Sequence, residues 1–169
     1  MIDDIETPST PLTQEASTDG IVLDAYARAL CRHHAAALLT LAEMILDDVD
    51  AGSDIVVGTI VAACREPQPV ASDVHTARTR LARSVYRRCL GRLTTRERFA
   101  QLEPPPPTGS RHSHSPVAHL TANQRAMLAL VLFGGHDIEQ IARTLRTPMS
   151  VIAEQLPGVL RRVEVGTTG

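Results

Sequence analysis

Apolar residues recur at helical spacing along most of the chain, and where the spacing fails the sequence turns to Pro, Gly or clustered acids. From Ile21 to about Leu46, Val22, Ala25, Tyr26, Ala29, Ala36, Leu39 and Ile45 make a stripe in an Ala- and Leu-rich segment, which predicts one long helix or two joined ones. Asp47, Asp48, Asp50 and Gly52 interrupt it, and Ser53 reads as the N-cap of a second helix that reaches about Arg65 before Pro67 and Pro69. A third helix, about Ser72 to Arg98, keeps Val74, Ala77, Leu81, Val85, Cys89 and Leu93 on one stripe and spreads its arginines over the rest.

Residues 101–118 then carry four consecutive prolines, Pro104 to Pro107, followed by Gly109 and a Ser/His tract, the composition of a stiff, solvated linker. Beyond it, Thr121 with Gln124 forms a capping-box pattern ahead of a helix that runs through Leu128 and Leu130 to Gly134-Gly135. Asp137 with Gln140 repeats the device for a short helix, Ile138 to Leu145. Thr147-Pro148 offers an N-cap and a first-turn proline for a helix starting at Met149. Ile138, Ile141, Leu145, Ile152 and Leu156 would close the core around small Ala142, and Pro157 should stop or kink the last helix about two turns in. A short helix, a tight turn and a second helix are the grammar of a helix-turn-helix.

The predicted fold is therefore all-α, with two small helical domains at 20–100 and 119–164. A Pro-rich linker at 101–118 joins them, and an acidic, Ser/Thr/Pro-rich disordered tail at 1–19 precedes them. Composition agrees: 169 residues hold two small domains, 43% are hydrophobic, and the 2% aromatic content leaves Leu, Val, Ile and Ala to build helix interfaces, which counts against a β-sandwich.

Charge adds what periodicity cannot. The formal net charge is only -2, yet residues 72–100 hold eight arginines against two acids, Asp73 and Glu97, a local basic field suited to nucleic acid or an acidic partner. Other chemistry is thin. Cys31, Cys64 and Cys89 are widely spaced and lack zinc spacing, which suits free thiols in a reducing compartment. His33-His34 and His112/His114 lack Cys or carboxylate partners at ligand spacing, and no glycine-rich phosphate loop or nucleophile–base motif occurs. We therefore expect no metal, no cofactor, no small-molecule substrate and no catalysis. No signal-like opening and no run of about 18 apolar residues is found, so a cytoplasmic protein without a membrane partner is expected.

Over roughly residues 22–164 the sequence resembles the extracytoplasmic-function (ECF) class of bacterial RNA polymerase sigma factors. The stretch LTANQRAMLALVLFGGHDIEQIARTLRTPMSVIAEQL looks like the family's fourth conserved region, in which a helix ending in Phe-Gly-Gly precedes the promoter-reading helix-turn-helix. HHAAALLTLAEMIL, DDVDAGSDIVVGTIVAACRE and RSVYRRCLGRL are similar to its second region, which grips the polymerase clamp and handles opened promoter DNA. The resemblance implies that Asp54, Ile55, Val56 and Arg65 bind core RNA polymerase. It implies promoter contacts from Arg80, Arg83, Arg87, Arg88 and Arg92 in the first domain, and from Arg143, Arg146, Ser150, Val151, Gln155, Arg161 and Arg162 in the second. An anti-sigma factor is a further implied partner.

Departures from the family pattern fall on the functional surfaces. The positions after Asp54 where relatives carry a Gln-Glu pair and later a Phe and a Trp read Val57, Gly58, Ile60 and Cys64. The recognition helix offers Val151, Ala153, Glu154 and Gln155 in place of outward Thr, Lys and Arg, and Arg146 stands where the turn prefers Gly. These substitutions keep a second expectation open: a degenerate sigma-like regulator that contacts polymerase, another sigma factor or an anti-sigma factor without reading a promoter itself. A stand-alone dimeric helix-turn-helix repressor is the third.

Overall fold

The computed structural model describes residues 15–65, 74–100, 117 and 119–166, and among these residues the fold is six helices with no strand. They are α1 (Glu15–Leu46), α2 (Val49–Arg65), α3 (Val74–Ala100), α4 (Ala122–Leu132), α5 (Ile138–Leu145) and α6 (Met149–Gly166). The all-α expectation holds. Most of the predicted tail and of the 101–118 linker lies outside the described residues; within the tail, α1 already begins at Glu15.

α1 is the spine. It packs against α2, α3 and α4, while α5 and α6 pack on α4 and on each other. One buried cluster joins Leu30, Leu38 and Leu41 of α1, Val56 and Ile60 of α2, and Leu81 and Val85 of α3 to Met127 and Leu130 of α4, Ile141 of α5 and Ile152 of α6. Where two domains flanking residues 101–118 were expected, the described helices on the two sides thus share a core. Fully burying each such aliphatic side chain contributes about 1.5–3 kcal/mol, so this shared cluster is what holds the two helix groups against each other.

Polar ties reinforce the join. The Arg78 guanidinium on α3 donates through Nε to the Phe133 carbonyl (2.8 Å) and through Nη2 to the Leu132 carbonyl (3.3 Å). The Thr79 hydroxyl donates to the Gly135 carbonyl (3.3 Å). The last carbonyls of a helix have no partner within it and carry the negative end of its dipole, so a cation there both satisfies and stabilises them.

Local expectations fare according to how local their cause is. Both capping boxes form: Gln124 N–H donates to Thr121 Oγ1 (3.3 Å) and Gln140 N–H to Asp137 Oδ1 (2.7 Å), each returned by the glutamine side chain at 3.1 Å. The α3 stripe is buried at Ala77, Leu81, Val85 and Cys89. The α1 stripe is corrected. Leu30, His34, Leu38, Leu41, Ala42, Ile45 and Leu46 are buried, whereas Ala25 and Ala36 are exposed, because a helix rich in Ala and Leu on every side gives periodicity little to select. The second helix starts four residues earlier than Ser53: Asp47 turns the chain at φ 54 and Asp48 Oδ1 accepts from the Ala51 N–H (3.0 Å), which makes Asp48 the cap.

Three further corrections concern the C-terminal helices. Ile138, expected in the core, is 39% exposed. The Thr147 hydroxyl donates back to the Leu145 carbonyl (3.3 Å) in place of capping α6. Pro157 neither ends α6 nor falls at its edge; its ring is on the exposed side, and buried Leu156 and Val159 hold the helix on through it. Although it contains no uninterrupted run of about 18 apolar residues, α1 between Asp24 and Leu46 is by length and mean hydropathy (1.2) apolar enough to cross a bilayer, and 39% of its most apolar window is buried against the other helices.

Candidate functional site

The site grows from the way α3 divides its surface. Ala77, Leu81, Ala82, Val85, Tyr86 and Cys89 are all buried, which fills one broad face of the helix with core contacts. The arginines between them have nowhere to go but out: Arg80, Arg87, Arg88 and Arg92 are exposed and Arg83 is half-buried. A guanidinium stays charged at any pH a protein meets, so this helix presents fixed positive charge.

α5 divides itself in the same way. Ile141 is fully buried, while Glu139 and Arg143 on the other side of the helix are exposed. The chain then leaves α5 through Arg146, whose φ of 55 and ψ of 40 lie in the left-handed region. A side chain there costs about 1–2 kcal/mol relative to glycine.

Folding leaves α3 and the end of α5 bordering one open cleft. Arg83 and Arg87 of α3, Arg143 of α5 and Arg146 in the turn after it line a single cleft of ≈ 550 Å³. Arg143 also pairs with Glu139 one turn back on its own helix, at 3.3 Å, with both side chains largely exposed. An exposed pair of this kind is worth only about 0.3–0.5 kcal/mol, so the cleft stays strongly positive. Two polar atoms among its lining residues, Arg83 Nε and Thr144 Oγ1, are buried and have no hydrogen-bond partner.

The remaining expected site residues are dispersed. Arg88 lies over α2, where its Nη1 would be 3.3 Å from a Cβ placed on Gly58. Arg161 and Arg162 are exposed near the end of α6, and Arg161 Nε donates to the Pro157 carbonyl (3.3 Å). Ser150 and Gln155 of α6 are exposed and Val151 is half-buried; the same outer side carries Glu154 and no cation before Arg161. Of the residues assigned to polymerase, Asp54 and Arg65 are exposed, Ile55 is half-buried and Val56, at 2% exposure, is turned into the core.

Sequence reasoning missed His136, which is buried beside the cleft. Its Nδ1 lies 3.1 Å from the Gly134 carbonyl. Burial pushes its pKa below the ordinary 6.5, opposed by the Gly134 carbonyl, assisted by the charge of Arg83 and opposed again by Asp137. Nothing local in Gly-Gly-His-Asp marks that histidine as interior. The thiols are quiet by comparison. Burial raises Cys89 to about 12 and, with the neighbouring Cys31 thiol, raises Cys64 as well, so both are protonated and poor nucleophiles at neutral pH. Among the described residues no cluster of three or more His, Cys, Asp or Glu could hold a metal ion.

What the arrangement can do chemically is bind anions: it offers fixed positive charge, forked donors and a concave surface. In comparisons with known proteins, no family model, no curated protein and no solved structure matches this chain.

Proposed function

We propose that this protein is a sigma-factor-like transcription protein, in which residues 20–100 dock on core RNA polymerase and residues 119–164 meet promoter DNA. The observation that carries the reading is the unit formed by α5, the Arg146 turn and α6. The two helices pack through buried Ile141 and Ile152, so that Ser150 and Gln155 stand outward at the start of α6. A short helix braced against a second whose first turns face solvent is how a helix-turn-helix delivers side chains to a major groove. Arg80, Arg87 and Arg92, exposed on α3, supply the sequence-independent attraction to phosphate that such binding requires. The test is reconstitution: core polymerase plus this chain, offered a pool of genomic promoters, starts transcripts at defined positions. Silence across the pool, with an active sigma factor as control, overturns the reading.

A second reading is favoured by one specific surface. The first three turns of α6 present Glu154 and no cation, and α2 exposes Val57 (58%) and Val61 (42%) one helical turn apart beside exposed Asp54. Such a surface suits protein contact better than DNA, which points to a regulator acting on polymerase, another sigma factor or an anti-sigma factor without reading a promoter. Affinity capture separates the two. Recovery of polymerase or a sigma factor without promoter protection supports the regulator, and recovery of none of these partners ends it.

A further inference from the structure

We propose that the cleft between α3 and α5 is a binding site for a compact oligophosphate, an anion with two or three linked phosphate groups. The inference goes beyond the transcription reading and stands without it, since it uses only what the cleft contains.

Four arginines line it, Arg83 and Arg87 from α3, Arg143 from α5 and Arg146 from the turn that follows α5. Each pair is separated from the other by more than fifty residues of chain, so the juxtaposition is made by folding and not by a local run of charge. Like charges brought together in this way repel, and Glu139 offsets only Arg143. A multivalent anion reverses the sign of that interaction for all four at once.

The cleft also leaves hydrogen-bonding capacity unused. Arg83 Nε and Thr144 Oγ1 are both shut off from solvent and unpaired. Buried donors are nearly always satisfied in folded proteins, and one left open costs about 1–3 kcal/mol. Both atoms belong to residues that line the cleft, so side-chain rotation would turn them toward a polar ligand bound there. Arg146 adds a third indication, because it holds its charge at this wall from a left-handed backbone position that glycine would occupy without strain.

Phosphate fits this set better than a carboxylate. A guanidinium fork matches two phosphate oxygens, and several forks need several oxygens spread over linked groups. A space of ≈ 550 Å³ exceeds what a single phosphate fills, and Leu90 and Leu145 wall it with apolar surface that favours a bounded ligand over a passing strand. Free oligophosphate and the phosphates of a nucleic-acid backbone share this chemistry, and competition distinguishes them.

The experiment is calorimetric titration of the full chain with inorganic triphosphate, at low and at physiological salt. One-to-one saturable binding is expected, weakened about tenfold for each arginine lost, hence about a hundredfold in Arg87→Gln/Arg146→Gln. The double variant Arg32→Gln/Arg96→Gln removes the same charge from exposed positions outside the cleft and should stay within about twofold at physiological salt. Arg87→Lys/Arg146→Lys, which keeps charge and loses the forks, should fall between them. Unfolding midpoints without ligand identify any variant that fails to fold, and the lysine pair then carries the comparison. Absence of saturable binding, or equal weakening by the two glutamine pairs, overturns the proposal. Displacement of triphosphate by a short DNA duplex assigns the site to backbone phosphates, and failure to displace it assigns a free oligophosphate. Duplex binding without triphosphate binding overturns it.

Discussion

Two turns in the C-terminal half meet the same backbone demand with opposite residues. Between α4 and α5 the left-handed position is Gly135, at φ 65; between α5 and α6 it is Arg146, at φ 55. The first turn has no room for anything but glycine at its neighbour as well, since a Cβ on Gly134 would lie 2.6 Å from the Leu130 carbonyl oxygen and 2.8 Å from His136 Nδ1. The second opens onto the cationic cleft. The contrast separates a corner shaped wholly by packing from one where conformational cost is accepted alongside a charge placed in a cleft.

Filling the tight corner should do the most damage. Gly134→Ala pushes a methyl group against backbone and should lower stability by about 2–3 kcal/mol, read as a shift of the urea midpoint at constant slope; an unchanged midpoint would mean that the corner yields easily. Next comes the cation that closes the same corner from α3. Arg78→Gln removes charge-assisted bonds to Phe133 and Leu132 and should cost about 1–2 kcal/mol, with faster amide exchange in residues 132–136 than elsewhere. Uniformly faster exchange would show that Arg78 ties down nothing in particular.

The paired swap sharpens the contrast itself. Gly135→Ala should destabilise by about 1 kcal/mol, whereas Arg146→Gly should stabilise by about 0.5 kcal/mol, because relief of left-handed strain exceeds the extra flexibility of the unfolded chain. Thermal unfolding of the two variants side by side gives the signs, and two losses of equal size would remove the distinction between the turns. A shallower effect is expected from pH. His136 is held neutral by burial, so its contribution is fully present above about pH 6.5 and is lost as pH falls through its lower folded value. Stability of the wild type should therefore drop more steeply than that of His136→Gln on acidification; parallel curves would show that other groups carry the whole dependence.

Legibility in the sequence followed the range of the cause. Thr121 with Gln124 and Asp137 with Gln140 fix helix starts within three residues, and both were readable. The α3 stripe was readable because arginines mark its outer side with no ambiguity. The inner side of α1 was not, since Ala25 and Leu38 look equally apolar and only the positions of α2, α3 and α4 decide between them. Ser53 was a poorer guide than Asp48, as several capping residues compete in that acidic stretch. Of the candidate site, the individual arginines were visible and their meeting was not: Arg83 and Arg146 lie far apart in the chain, and no local pattern says that both will border one cleft. Arg78 and His136 were invisible for the same reason.

Pro157 sits in the middle of α6 with no amide hydrogen, so the Ala153 carbonyl loses its partner one turn back. On one side of that gap Ile152 joins the main buried cluster; on the other Val159 joins Leu120 and Leu128 in a separate small one. The rod is therefore seated twice, with its weakest rung between the seats. Bending of the rod is easiest at that rung, between the turn at Arg146 and the outer end where Arg161 and Arg162 project.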